Sequence, residues 1–413
     1  MNSKTICTAP WMHLNFEPDG KVIPCCLTSS HQYFLGDLNT DSIEEIWNSS
    51  NMKKLRLQFL NGEKPEICHK CFDEEKLTGL STRTNYNKDF SNVLEKIPNI
   101  TLEDGTCEEL DLQYWDFRFS NLCNFKCRSC GPRYSSSWVP DAKKLGITDQ
   151  QKVWNIESIN KKTNFNFLNN QISKVKGIYF AGGEPLLMDE HWYILDKLIE
   201  NNRLDVKLSY NTNCSTLTYG KKHIIDYWKQ WELGKLEVWP SIDEIGKRAE
   251  LLRSGTIWNK IEKNLEELTK YDNIDLRPAI TVGAWNVYRL PEIISYLTDL
   301  GVIRHRTNFD IFFINLIIDP DHYSINILPD KFKKDIAEKL KSFIIEYNKK
   351  YNTNITRGLM QIFNELKKPF NLDLAKKFVS TTLELDKIRK ENLFTTIPEM
   401  EEVRQEIKRW SYG

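Results

Sequence analysis

No uninterrupted apolar run in this 413-residue chain approaches the length of a membrane-spanning helix. The longest apolar stretches are short, and Ile311 to Ile318, broken by Asn315, has the length of a buried strand. The opening residues, MNSKTICTAPWMHL, lack the charged start and apolar run of a signal peptide. Net charge is missing as well. Lys plus Arg (57) balances Asp plus Glu (57), so no overall basic field draws the chain to a polyanion such as DNA. No internal repeat and no low-complexity tract is visible. The chain is 40% hydrophobic and 12% aromatic, enough to bury a core, which excludes disorder as the default. These absences describe a protein expected to be soluble and cytoplasmic, with neither a membrane nor a nucleic acid as partner.

Cysteine, in contrast, is plentiful. Ten are present: Cys7, Cys25, Cys26, Cys68, Cys71, Cys107, Cys123, Cys127, Cys130 and Cys214. Disulfides seldom persist in the cytosol, so clustered thiols there point to metal or redox chemistry.

Four segments follow from the patterning. Residues 1–85 form a small Cys-rich α+β domain. In it the hairpin His13–Phe16, Pro18-Asp19-Gly20, Lys21–Ile23 precedes a helix that Asp41 can cap. Residues 86–112 are acidic and polar without clear periodicity and read as a linker. From 113 to 325 short strands alternate with amphipathic segments such as Asp189–Glu200 and Trp258–Tyr271. The expected strands are Tyr114–Ser120, Gly177–Phe180, Val206–Tyr210, Leu236–Ser241, Ile274–Val282 and Asp310–Ile318. Six strands separated by helices make an α/β fold with a parallel sheet, doubly wound or curled as a barrel. Residues 326–413 read as helical throughout.

The first of those strands runs into Cys123-Asn124-Phe125-Lys126-Cys127-Arg128-Ser129-Cys130. In parallel α/β folds the C-terminal ends of strands are where sites are built. The C-x3-C-x2-C spacing places three thiolates on one loop. A cubane cluster wants four ligands, so three leave one iron open to a small molecule. A zinc knuckle would close its fourth position.

This loop resembles the signature of radical S-adenosylmethionine (radical SAM) enzymes. The resemblance implies a partial (β/α)6 TIM-like barrel and a 4Fe–4S cluster held by Cys123, Cys127 and Cys130. The open iron of that cluster is chelated by S-adenosylmethionine. Phe125 and Ser129 on the loop would then face the cofactor, Ser129 standing where the family usually has a bulkier residue. One strand later comes Gly182-Gly183-Glu184-Pro185, similar to the family motif that holds the methionine ammonium; two glycines allow close backbone approach. Later strand ends fit the same template. Asn211 and Asn213 would lie near the ribose, Ser241 and Arg253 would hold the methionine carboxylate, and Asp243 would face ribose or substrate. Cys214 stands where the family often has glycine and reads as a buried, inert thiol.

At the N-terminus Cys7 precedes Pro10-Trp11, Gly20-x4-Cys25 and then Cys68-x2-Cys71. Four such thiolates suit a second 4Fe–4S cluster or structural zinc. The run CTAPWMHLNFEPDGKVIPCC, followed by CHKC, resembles the SPASM/twitch domains of radical SAM enzymes, which favours the auxiliary cluster. Those domains usually follow the barrel; here the segment precedes it. Cys26 and Cys107 remain unassigned, and His69 is expected to face solvent.

A radical SAM enzyme reduces its cluster by one electron, cleaves S-adenosylmethionine to a 5′-deoxyadenosyl radical and abstracts hydrogen from its substrate. The resemblance therefore implies an oxidoreductase or maturase, an electron-donating reductase such as flavodoxin or ferredoxin, and an auxiliary cluster for electron transfer. The substrate is expected to be a peptide or protein side chain, with a sugar or other small molecule as the alternative. A non-catalytic Fe–S electron carrier or structural zinc protein would use the same thiols but has no purpose for Gly-Gly-Glu-Pro, Ser241 and Arg253.

Overall fold

A computed structural model of the chain describes residues 4–28, 33–147, 168–305 and 311–412. It divides into two compact units: residues up to 122 together with the described part of 153–209, and residues from 123 together with 210 onward. This division runs across the four segments expected from the sequence.

The first unit begins with the expected hairpin. His13–Phe16 pairs antiparallel with Lys21–Ile23, which pairs in turn with Gly36–Asp37. Gly20 adopts φ +88 in the turn and donates its N–H to the Glu17 carbonyl at 2.9 Å, a conformation glycine reaches without steric cost. The hairpin is not a separate layer. His13–Phe16 lies parallel to Tyr114–Phe117, which lies parallel to Gly177–Phe180. Leu14, Phe16, Trp115, Phe117, Ile178 and Phe180 alternate along these strands and are all buried, as period-two patterning requires.

Helices cover the rest of this unit. Ile43–Trp47 is capped by Ser42, not Asp41. The Ser42 hydroxyl accepts from the Glu45 N–H, and Glu45 returns a carboxylate to the Ser42 N–H at 2.8 Å. Asp41 instead accepts the Asp37 N–H. Ser50–Leu60 and His69–Thr78 follow. The stretch expected as a linker is largely helical, with Thr82–Asp89 and Ser91–Ile100. The first of these has no apolar periodicity to read, and the second contains Pro98.

The second unit is also α/β with parallel pairing. Leu236–Pro240 is parallel to Ile274–Leu276, and Ala279–Val282 is parallel to Phe313–Leu316. The expected strand Ile274–Val282 is therefore two strands, divided at Arg277-Pro278, where proline has no N–H for a ladder. The expected strand Asp310–Ile318 contracts to Phe313–Leu316, and Asp310 lies outside the described residues. The expected strand Val206–Tyr210 is observed as Lys207–Thr212. The C-terminal segment is helical as expected: Asp330–Tyr351, Thr356–Leu366, Leu372–Arg389, Leu393–Thr396 and Pro398–Tyr412. Among the described residues no helix is long and apolar enough to cross a membrane.

Candidate functional site

In the second unit Lys126–Cys127 pairs antiparallel with Arg253–Ser254, placing Cys127 opposite Arg253. Two further contacts shape the cysteine loop. The Trp138 indole donates to the Cys127 carbonyl at 2.7 Å, and the Ser137 hydroxyl donates to the Cys123 carbonyl at 2.7 Å. The Cys130 N–H closes a turn onto the Cys127 carbonyl at 3.1 Å, while the Phe125 N–H points at the Cys123 sulfur at 3.4 Å. Cys127 is buried; Cys123 and Cys130 are partly exposed. Burial pushes the Cys127 thiol up, with Arg253 opposing it, and pushes Cys130 up to about 12. As free thiols these groups hold their protons, and ligation to iron would release them.

Arg253 is the charged residue directly opposite Cys127. It is joined to Asp243 at 2.9 Å and its guanidinium sits 6.0 Å from the Phe125 ring centroid. Burial opposes its charge, but the Asp243 carboxylate beside it favours the cation, and its pKa stands above the ordinary guanidinium value. Asp243 is buried and its other oxygen accepts the Thr281 N–H at 2.9 Å. Arg253 Nε is buried without a hydrogen-bond partner. An unsatisfied buried donor on a cation calls for an acceptor, and a carboxylate suits an Arg fork.

Asn213 is used within the protein. Its Nδ2 donates to Asn124 on the cysteine loop at 2.9 Å and its Oδ1 accepts the Ser215 N–H at 2.9 Å. Ser241 follows the strand Leu236–Pro240 and bridges in parallel to Ala279. Asn211 lies in the strand Lys207–Thr212, and Ser129 is partly exposed on the loop. Cys214 is buried at φ +54, in the left-handed region that favours glycine.

The first unit carries the Gly-Gly-Glu-Pro turn. Gly182 has φ +75 and Gly183 φ +27, and a Cβ on Gly183 would lie 2.2 Å from the Leu122 carbonyl oxygen. Only glycine fits there. Glu184 is buried, its N–H donates to the Leu122 carbonyl at 2.8 Å, and its carboxylate accepts the Leu186 N–H at 3.3 Å. Pro185 begins the short 3-10 turn Pro185–Leu187.

The same unit gathers Cys7, Cys25, Cys68 and Cys71 around one cavity, with about 40 Å³ open to water centres. That exceeds the roughly 10–15 Å³ needed by one water. Cys68 caps the helix His69–Thr78 and Cys71 lies in its first turn. Burial pushes Cys7 and Cys71 up and Cys68 up to about 12, and Cys68 and Cys71 raise Cys7 further. Cys26 is a free thiol hydrogen-bonded to the Cys25 side chain and does not line the cavity. Cys107 is buried beside Asn48, while His69 is exposed, with its ring Nδ1 3.1 Å from the Glu66 carbonyl oxygen. Among the described residues no three His, Cys, Asp or Glu side chains converge on a single ion-sized point. A cubane distributes its ligands over four irons, so each thiolate set is judged by its donor chemistry. Four soft donors around one cavity fit a closed cluster, and three on a loop beside an unsatisfied cation fit an open one.

Sequence reading missed the residues that hold the first set in place. Arg83 donates to the Ile6 carbonyl at 2.6 Å and pairs with Glu75 at 2.5 Å, tying the chain before Cys7 to the helix that carries Cys71. Asn87 adds a bond to Ile6 at 2.8 Å. Arg83 and Asn87 sit in a polar helix whose pattern gives no signal of a role.

Residues 7–72 match the SPASM family, an iron-sulfur cluster-binding domain. The chain is 26% identical over 171 residues to a GTP 3′,8-cyclase of Aliarcobacter butzleri (strain RM4018), an alignment covering 41% of this chain and 46% of that protein. The chain thus spans about half the length of that curated relative. Among solved structures, anSMEcpe with bound AdoMet overlaps at a TM-score of 0.41 and 17% identity, over 57% of this chain and 59% of the other. Streptococcus suis SuiB overlaps at 0.38 and 13%, over 85% and 70%.

Proposed function

We propose that this chain, a radical SAM protein whose N-terminal segment is a SPASM domain, generates a substrate radical by reductive cleavage of S-adenosylmethionine. Cys123, Cys127 and Cys130 would hold the open 4Fe–4S cluster, and Cys7, Cys25, Cys68 and Cys71 the auxiliary one. When bound and reduced, the open cluster and S-adenosylmethionine supply a 5′-deoxyadenosyl radical that abstracts hydrogen. The observation that carries this reading is Arg253. It is a partly buried cation whose buried Nε is unsatisfied, oriented by Asp243 and set opposite the middle cysteine.

The chain's own residues perform the remaining work. Arg253 binds and orients the carboxylate of the cofactor, with Ser241 at the neighbouring strand end. Gly182 and Gly183 let the turn pack against Arg118 and the Leu122 carbonyl, and Glu184 with its turn accepts an ammonium. Asn213 holds the strand end to the cysteine loop through Asn124. Phe125 places its ring 6.0 Å from the Arg253 guanidinium. Ser129, Asn211 and Asp243 complete the set of cofactor neighbours. The strands would form a partial (β/α)6 barrel over residues 113–325, with 1–85 as the auxiliary domain and 326–413 as a helical extension.

The proposed substrate is a peptide or protein side chain, as the resemblance to SPASM/twitch radical enzymes implies, the auxiliary cluster passing an electron during its oxidation. The partial likeness to a GTP 3′,8-cyclase favours a second reading, a small molecule such as a nucleotide. An external reductase such as flavodoxin or ferredoxin would feed the open cluster.

The test is anaerobic reconstitution followed by dithionite. The expected result is brown protein with about eight iron atoms per chain and 5′-deoxyadenosine released from S-adenosylmethionine. Full iron loading without any cleavage would reduce the chain to an electron carrier.

A further inference from the structure

The helical C-terminus offers no motif, yet one end of it reaches the cysteine loop within the second unit. The helix Leu372–Arg389 ends at Lys390, which adopts φ +56. Around that end lie Asp386, Arg389 and Glu391. Arg128, between Cys127 and Ser129, has a side chain only 1% exposed; its Nη2 pairs with Asp386 and, at 2.6 Å, with Glu391. Glu391 also accepts the Ser254 hydroxyl at 2.6 Å, and Ser254 is the strand partner of Lys126. Asp386 is held in turn by the Leu393 N–H at 2.8 Å.

Arg389 is the second buried cation. Its side chain is 1% exposed and donates to Asp141 at 2.8 Å and to the Ser254 hydroxyl at 3.2 Å. The guanidinium lies 4.5 Å over the Trp138 ring, and that indole donates to the Cys127 carbonyl at 2.7 Å. Arg389 is thus one ring away from the middle cysteine. Its Nη2 is buried without a hydrogen-bond partner. Lys126 joins the network through Asp141 at 3.2 Å.

Buried ion pairs are a poor way to dock a helix, because desolvation consumes most of their attraction, whereas apolar contact would serve. They do fix geometry, since each charge must keep its partners. Every residue in this network touches the loop or its strand partner. A cluster that gains an electron gains negative charge, and a nearby cation excluded from water favours that state.

We propose that the end of the helix Leu372–Arg389 is a positioning element for the cysteine loop, with Arg128 as its tether and Arg389 as a fixed positive charge that eases reduction of the cluster there. This rests on the reading of Cys123, Cys127 and Cys130 as cluster ligands. The class of role is positioning: neither arginine is required to touch the substrate.

Two measurements test it. In cluster-free protein, Glu391→Gln removes the shared carboxylate while Arg389 stays in place. Amide hydrogen exchange across residues 123–130 should accelerate about tenfold, with the helix Trp258–Leu268 unchanged. In reconstituted protein, redox titration follows the EPR signal that S-adenosylmethionine perturbs. Arg389→Gln should lower its midpoint potential, and Arg389→Lys, which keeps the charge, should restore it. Unchanged exchange in Glu391→Gln overturns the tether, and an unmoved potential in Arg389→Gln overturns the charge effect. Should Arg389→Gln fail to fold, Arg389→Lys against wild type decides: a potential that follows loss of the guanidinium despite the retained charge overturns the electrostatic role. The exchange arm needs no iron, so its failure is distinct from a failure of the cluster reading.

Discussion

Arg253 and Cys127 are direct partners across a two-residue antiparallel pair, so the side chain of this partly buried cation shares a face with the thiol. The backbone, not a flexible loop, therefore sets the distance between the cysteine loop and Arg253. Asp243 fixes the guanidinium at 2.9 Å and leaves Nε unsatisfied. Arg253→Lys keeps a charge but loses the fork and the Nε donor. Its affinity for S-adenosylmethionine should fall by at least about tenfold, roughly 1.4 kcal/mol. Equilibrium binding to anaerobically reconstituted protein measures this, and wild-type affinity in the variant would remove Arg253 from the cofactor site.

Cys127→Ala separates the two thiolate sets. The middle ligand of the loop is lost while Cys7, Cys25, Cys68 and Cys71 keep their cavity. Iron should fall from about eight to about four atoms per chain, and S-adenosylmethionine cleavage should stop. Iron analysis and product chromatography read both. Cleavage at the wild-type rate would refute the assignment of the loop.

Gly183→Ala tests the close approach in the Gly-Gly-Glu-Pro turn. The new Cβ would meet the Leu122 carbonyl oxygen at 2.2 Å, backbone that has no rotamer through which to yield. Such strain costs on the order of 1–3 kcal/mol. The variant should fold with a lower melting temperature and bind S-adenosylmethionine weakly or not at all. A melting curve and an affinity that both match wild type would show that the turn tolerates a side chain.

Much of this was legible locally, because local chemistry decided it. Asp19-Gly20 announced the hairpin, and the spacing of Cys123, Cys127 and Cys130 announced the loop. Period-two patterning located Gly177–Phe180 to the residue. What escaped was set by contacts distant in sequence. The helix Thr82–Asp89 is almost wholly polar, and its meaning lies in Arg83 and Asn87 reaching Ile6. Nothing in the sequence marks Arg128 for burial, which Asp386 and Glu391 impose from more than 250 positions away. The parallel pairing of His13–Phe16 with Tyr114–Phe117 joins residues a hundred positions apart, which no window of sequence displays.

Acid stability should carry the signature of Glu399. Burial alone would raise this carboxyl, yet the Arg248 guanidinium, at 3.0 Å, holds it below its ordinary value. A depressed folded pKa contributes stability that is present above the unfolded value near 4.3 and lost as pH falls through the folded value. Glu399→Gln should therefore be less stable than wild type at neutral pH, and the two should converge below about pH 4. Denaturant melts of cluster-free protein across pH 3 to 7 give the comparison, and subtraction cancels titrating groups remote from the pair; Glu244, which shares Arg248 at 3.9 Å, is not one of them. A difference that does not change with pH would show that the pair adds nothing to folding.

Cys214 combines two opposed effects that a single substitution can weigh. It is buried, with its N–H on the Thr212 hydroxyl at 3.1 Å and its carbonyl accepting from Asn264 at 2.8 Å. Its φ of +54 costs a residue with a Cβ about 1–2 kcal/mol. Cys214→Gly relieves that strain but forfeits the burial of one small side chain, worth a comparable roughly 1 kcal/mol. The two nearly cancel, so the melting temperature should move by no more than a few degrees. Cys214→Val keeps the strain and adds a branched Cβ in a packed site, so it should melt clearly lower. Iron content should be the same in wild type and Cys214→Gly, because this thiol belongs to neither set; loss of iron in the glycine variant would make Cys214 a ligand.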